Sequence, residues 1–174
     1  VSVHIVFDSE DDVPDELKGG AYVRTKADEM KSLISYAMGC IMGRYSLDKP
    51  GLVLANQGDG LSEYLQQVPE PSFTPDADGI IPLTDIEYFH DDATGLFVDF
   101  MAAAFGEEHL EENLQFVADA LGGTGTPRQV IRAYFRDGFF ADHCKTYSVQ
   151  SAGKRPIYWL FDSGKKGGFR ALFY

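Results

Sequence analysis

Apolar residues return at intervals of three and four between Ala27 and Tyr45. Met30, Leu33, Ile34, Ala37, Met38, Ile41, Met42 and Tyr45 fall on one face, which predicts an amphipathic helix over that span. Gly39 and Gly43 lie four apart on a neighbouring stripe. Each glycine costs a helix about 1 kcal/mol against alanine. The pair therefore predicts close approach by another backbone and a scaffold role for this helix. Thr84-Asp85-Ile86-Glu87 has the form of a capping box and predicts a helix to about Phe105, with Phe89, Leu96, Phe97, Phe100, Met101 and Phe105 inward and His90-Asp91-Asp92 a candidate break. Gly106 closes it. A further amphipathic helix runs from Glu107 to Leu121, with Leu110, Leu114, Val117, Ala118 and Leu121 inward, and ends at Gly122-Gly123. Thr126-Pro127 opens the next helix, with Thr as cap, Pro in the first turn, and Val130, Ile131, Tyr134 and Phe135 as its apolar face. Gly138 ends or kinks it, and Phe139 to Tyr147 adds another.

Elsewhere the pattern is strand or loop. Val1, Val3 and Ile5 alternate and predict a short strand, followed by an acidic loop from Ser9 to Gly20. Leu52 to Ala55 reads as a short strand. Asn56 to Gly79 reads as a surface loop, long enough to imply a function or a partner. Ile80-Ile81-Pro82-Leu83 docks an apolar stretch onto the body. From Ser148 the texture changes. Pro156 to Phe161 and Phe169 to Tyr174 are β-branched and aromatic, and Asp162 to Gly168 between them is basic and glycine-rich, which predicts a β-hairpin. A lone hairpin is marginal, so it should join a sheet or pack on the helices. Ile157 and Trp159 share one face, Tyr158 and Leu160 the other. Both faces are apolar, so the strand is expected to be largely buried, with Trp159 in the core. The fold class is α+β, a mainly helical body with a C-terminal β-hairpin or small sheet. Residues 1–25 form the strand and acidic loop, 26–147 the helical body, and 148–174 a basic hairpin packed on the same domain.

Charge sharpens this division. Residues 1–120 carry six Lys and Arg against 24 Asp and Glu, whereas residues 121–174 carry nine against three. A chain with a net charge of -12 is not a non-specific nucleic-acid binder as a whole, but its last third can meet a phosphate backbone. The acids also serve as a solvated face. Hydrophobic residues make up 44% of the 174, which is globular material, and no apolar run reaches the length of a membrane span. Val1 to Glu16 carries six acids and no basic start, so it is not a signal peptide. With Cys40 and Cys144 the only cysteines, a disulfide framework is not expected, and a reducing, cytoplasmic setting with free thiols is.

Isolated motifs carry little chemistry. Gly122-Gly123-Thr124-Gly125 follows a helix rather than a strand and reads as a linker, not a phosphate loop. Thr74, Asp76, Asp78, Gly79, Ile80 and Asp85 match calcium-loop positions only in part, and an Asx-turn fits better. His90-Asp91-Asp92 and Asp142-His143-Cys144 lack a second half at helical spacing, so no catalytic or metal site is expected in this chain. The C-terminal stretch offers more. Lys154 and Arg155 precede the aromatic strand, and Lys165, Lys166 and Arg170 lie on the opposing turn and strand. Cations beside aromatic faces suit phosphate contact and base stacking. A solvated basic hairpin with its aromatics in the core fits the composition equally well.

Several longer words narrow the choice. They are Leu33-Ile34-Ser35-Tyr36-Ala37-Met38-Gly39-Cys40-Ile41-Met42-Gly43-Arg44-Tyr45-Ser46-Leu47-Asp48, then Pro75 to Leu83, then Phe105 to Leu121, then Arg155 to Tyr174. In this order they resemble a segment of adenine-specific DNA methyltransferases of the PglX type found in BREX phage defence, and of related single-chain restriction-modification methylases. The resemblance covers roughly residues 30–174. In that family the segment lies after the catalytic domain. The resemblance implies an intact enzyme that methylates adenine N6 from S-adenosylmethionine. The Asn-Pro-Pro-Tyr type motif that holds a flipped adenine is absent here, as is a glycine-rich loop after a strand for the cofactor. No catalytic residue and no cofactor are therefore assigned to this chain. The resemblance implies a non-catalytic region associated with DNA target recognition, its partners being DNA and the catalytic domain of the same chain. Lys154, Arg155, Lys165, Lys166 and Arg170 are its candidate DNA contacts. An alternative from another class is an acidic protein-interaction domain that binds other defence-system proteins or mimics DNA charge. The start at Val1 and the stop at Tyr174, inside a strand, fit an excised fragment.

Overall fold

The computed structural model describes residues 7–15, 23–56, 58–147, 156–166 and 168–174. Among them are six α-helices and three strands, a mainly helical α+β fold. The strand expected over Val1 to Ile5 lies outside the described residues. Phe7, just after it, bridges to Thr25.

Helix α1 (Lys26–Ile41) opens on a reciprocal cap. The Thr25 side chain accepts from the Asp28 backbone N–H, and the Asp28 carboxylate accepts from that of Thr25 at 2.8 Å. It ends at Ile41, four residues short of the expected Tyr45. Gly43 takes a φ of +72° and reverses the chain, so Arg44 N–H donates back to the Gly39 carbonyl at 2.8 Å. The reversal brings the Tyr45 ring onto Gly39, while Leu54 fills the space beside Gly43. The two glycines thus admit side chains from the segment that follows, not the backbone of another element.

Leu52 to Ala55 is irregular rather than a strand, although Val53 and Leu54 are buried. Within the expected loop, α2 (Leu61–Gln67) packs Tyr64 onto them and Val68 joins the cluster. Strand β1 (Ile80–Leu83) comes next. Helix α3 spans Ala93–Phe105, not Thr84 to Phe105. Its cap is Asp92, which accepts from Gly95 N–H at 2.8 Å, and the Thr84 hydroxyl donates to the same carboxylate at 3.0 Å. Residues 84–92 are therefore a loop, and Phe89 is exposed rather than buried. Phe105, at the far end of α3, is exposed too.

Helix α4 (Leu110–Leu121) starts three residues later than expected, after a 3-10 turn over Glu107–His109, while α5 (Pro127–Asp137) and α6 (Phe139–Tyr147) follow as expected, α5 with its Thr126–Gln129 capping box. Ile34, Met38, Ile41, Phe97, Phe100, Leu114, Ile131 and Phe135 form the centre of the body. Cys40 is buried and Cys144 half-buried, both as free thiols. Burial pushes the Cys40 thiol up to about 11.

The hairpin forms from β2 (Trp159–Asp162) and β3 (Arg170–Phe173), and β1 pairs with the other side of β3. The sheet is antiparallel in the order β1-β3-β2. Pro82 is tolerated because β1 is an edge strand. Ile81 and Leu172 share one rung, and with Leu83 they pack the sheet on the helices. The rung Ile80–Phe173–Trp159 turns the other way. Trp159 is consequently 46% exposed and Tyr158 3% exposed, so Tyr158 holds the core position expected of its neighbour.

Candidate nucleic-acid interface

The turn between β2 and β3 is built by one carboxylate. Asp162 accepts from Gly164 N–H at 2.8 Å through one oxygen and from Arg170 Nε at 2.8 Å through the other. Gly164 supplies the positive φ, +74°, that the turn requires. The backbone bond from Gly164, joined by Arg170, holds the Asp162 carboxyl below its ordinary range. Ser163 N–H donates to the Phe169 carbonyl at 3.0 Å and closes the loop.

This arrangement sets Arg170 apart from Lys165 and Lys166. Lys165 and Lys166 stand exposed at the turn, and neither makes an ion pair with a described residue. Arg170 is half-buried. Its Nη1 donates to the Arg136 carbonyl at 2.9 Å and lies 3.4 Å from the Asp137 carboxylate, so it ties the hairpin to the end of α5. Lys154 and Arg155 lie outside the described residues. The turn can offer two lysines to a phosphate backbone from a fixed base, while Arg170 holds that base in place.

The other candidate motifs have structural work. Asp76 accepts from Gly79 N–H at 2.8 Å and Asp78 from Ile80 N–H at 2.8 Å, as in Asx-turns. Asp92 is wholly buried and pairs with Arg132, whose Nη1 also donates to Thr84 at 2.8 Å. His143 and Asp142 diverge. Asp142 accepts from the Tyr134 hydroxyl at 3.1 Å and pairs with Lys31 at 3.1 Å. Buried His143 accepts through Nε2 from the backbone N–H groups of Ile157 (3.0 Å) and Tyr158 (3.2 Å), which pins the chain entering β2. Burial, helped by the Arg44 guanidinium, depresses its pKa to about 4, so the ring is neutral.

Gly122 to Gly125 links α4 to α5, and the short antiparallel sheet has no strand running into a glycine loop and helix. One feature of this region lies beyond the motifs read in the sequence. Tyr88 and Phe89, on the loop before α3, come alongside the hairpin, with the Phe89 and Phe169 rings 6.4 Å apart. A loop between Thr84 and Asp92 is what would have exposed them, and the helix expected there concealed it.

No family model matches the chain. Two curated proteins do. The adenine-specific methyltransferase PglX of Lacticaseibacillus casei (strain Zhang) is 47% identical over 150 residues, which is 84% of this chain and 12% of that protein. The adenine-specific methyltransferase BrxX of Escherichia coli O9:H4 (strain HS) is 43% identical over 159 residues, 87% of this chain and 13% of that protein. Among the described residues no helix is long and apolar enough to cross a membrane. Identity at this level over most of the chain, with the fold class expected of the sequence, means that the chain belongs to the sequence family of the PglX and BrxX adenine-specific methyltransferases, spanning about one eighth of their length.

Proposed function

We propose that this chain is a non-catalytic region of a phage-defence adenine-specific DNA methyltransferase, lying beyond the catalytic domain and acting in recognition of the DNA target. The observation that carries this reading is the hairpin turn. It offers exposed Lys165 and Lys166 from a base locked by Asp162 and Arg170, in a chain otherwise dominated by acids. In the intact enzyme, S-adenosylmethionine supplies the methyl group for adenine N6. This chain's own work is to position backbone phosphates at the turn. Such contacts set register and orientation rather than read bases. The setting is the bacterial cytoplasm, in keeping with the free thiols.

The test is fluorescence anisotropy of the 174-residue chain on labelled mixed-sequence duplex, over a series of salt concentrations. Lys165→Glu with Lys166→Glu should weaken binding on every sequence and flatten the slope of log affinity against log salt by roughly two units, about 0.9 for each phosphate no longer neutralised. Folding should hold to within about 0.5 kcal/mol, because both side chains are exposed. An unchanged slope and affinity would remove the turn from the interface. A parent chain with no salt-dependent binding would remove the reading itself.

A further inference from the structure

The side of the sheet turned away from the helices is apolar. Ile80, Phe173 and Trp159 form one rung of it, and Phe161 flanks buried Ala171 on another. The side chains around Ala171 leave a groove of about 470 Å³. Aromatic rings continue beyond the sheet. Phe161 lies 6.3 Å from Phe169, Phe169 lies 6.4 Å from Phe89, and Phe89 lies 6.5 Å from Tyr88. Tyr88 is 67% exposed and Phe161 51%. Exposed Tyr36, Leu65, Phe105 and Phe116 lie one each on α1, α2, α3 and α4, whereas a contiguous patch of this kind marks an interface.

The patch is held open rather than left loose. The loop that carries Tyr88 and Phe89 is anchored at Thr84 and Asp92 by the largely buried Arg132, and the Phe169 end is anchored by Arg170. Rings fixed in place before contact lose little freedom on binding. The surrounding charge identifies the occupant. Along β1 and the following loop the rim carries exposed Asp78, Asp85 and Glu87, Arg136 beside Phe89 and Phe169 is paired with Asp137, and among the described residues the lysines without an ion pair lie at the hairpin turn, apart from Lys49, which donates to Gln67. A single strand stacked on the rings would need cations along its whole track. Here its phosphates would run past carboxylates.

We infer that this aromatic face is a docking surface for another part of the methyltransferase polypeptide, a protein surface with an apolar centre and a basic rim. The chain matches only about one eighth of its relatives' length, so most of such a polypeptide lies outside it. The inference rests on membership of that family, but not on DNA contact by the turn. The division of labour is spatial, with the tip of the hairpin for phosphate and its flat face for protein.

The experiment is hydroxyl-radical footprinting without DNA. It compares the isolated 174-residue chain with the same chain grafted in place of the 150 matching residues of the Lacticaseibacillus casei PglX. Oxidation of Tyr88, Phe89, Trp159, Phe161 and Phe173 should slow several-fold in the graft, while exposed Phe116 on α4 serves as the reference. The unmodified Lacticaseibacillus casei enzyme, footprinted against its own excised segment, gives the same reading without a graft. Equal oxidation in both forms would overturn the inference. Protection that comes only with added DNA would make the face a stacking platform instead. Protection in the isolated chain that grows with its concentration would assign it to a second copy. Because no DNA is present, the result stands whether or not Lys165 and Lys166 prove to contact phosphate.

Discussion

The helical body and the three-stranded sheet follow different rules of burial. In the body, Ile34, Phe97, Leu114 and Ile131 are covered on all sides by neighbouring helices. In the sheet, Ile81 and Leu172 are covered as fully, yet Phe161 and Phe173 on the opposite side are about half exposed. The body has paired most of its apolar surface with itself, Phe105 and Phe116 excepted. The sheet has paired only half, and beside the apolar packing of Ile81, Leu83 and Leu172 a few polar ties join it to the body: Arg132 to Asp92 and Thr84, Arg170 to Asp137, and His143 to the backbone before β2. Aromatic content alone says nothing about which residues are core. What decides is which side of a rung the helices occupy.

Cutting the strongest of these ties should have the largest effect. Asp92 is buried, caps α3 and neutralises a largely buried Arg132. Asp92→Ala leaves that guanidinium uncompensated and should cost about 3–5 kcal/mol. At about 2–4 °C per kcal/mol for a chain of this size, the melting temperature should fall by roughly 10 °C, measured by circular dichroism. A fall of a degree or two would mean that the loop before α3 is held by its apolar contacts and not by the ion pair.

Acid should loosen the join more gently. The folded His143 imidazole titrates at about 4, against 6.5 for an unburied one. Between those values the unfolded chain binds a proton that the folded chain refuses. The contribution is therefore complete above pH 6.5 and is lost as the pH falls towards 4. A shift of this size corresponds to roughly 3 kcal/mol over the window. Urea unfolding of the parent and of His143→Gln at about pH 7 and about pH 4.5 separates this contribution from that of the many carboxylates. The parent's advantage should shrink at the lower pH, and parallel profiles would show that His143 does not carry it.

The same contrast governs what could be read from the sequence. The α1, α4 and α5 segments were legible because a helix core face recurs every three or four residues, and Thr126-Pro127 marks its start locally. Thr84 to Glu87 carried an equally good local signal and misled. The Thr84 hydroxyl is engaged by Asp92 and Arg132, a partner 48 residues away, and Ile80 to Leu83 is drawn into a strand by β3. Local chemistry cannot anticipate pairings of that range. Helix α2 was missed although Leu61, Tyr64, Leu65 and Val68 have helical spacing, because the Gly, Pro and Asp around them dominate the segment. Of the candidate interface, Lys165 and Lys166 were legible as a basic turn. The engagement of Arg170 with Asp162 and α5 depends on strand register and was not.

The smallest expected effect falls on the residue whose burial the composition overstates. Trp159 and Tyr158 are adjacent aromatics in an apolar stretch, and nothing local separates them. Tyr158 faces inward, where its ring stacks on His143 with centroids 4.6 Å apart. Trp159 sits on the open side opposite Phe173. Truncating a buried aromatic typically costs about 3–5 kcal/mol. Removing an exposed one forfeits only a cross-strand pairing worth about 0.2–1 kcal/mol. Urea midpoints at a common slope should therefore place Tyr158→Ala several kcal/mol below the parent and Trp159→Ala within about 1 kcal/mol of it. As the only tryptophan, Trp159 also reports directly on its surroundings, and its emission in the isolated chain should be that of an indole in water and open to quenching by iodide. If Trp159→Ala were as costly as Tyr158→Ala and the indole shielded, the outer side of the sheet would already be covered within this chain, and the two regions would not differ in burial after all.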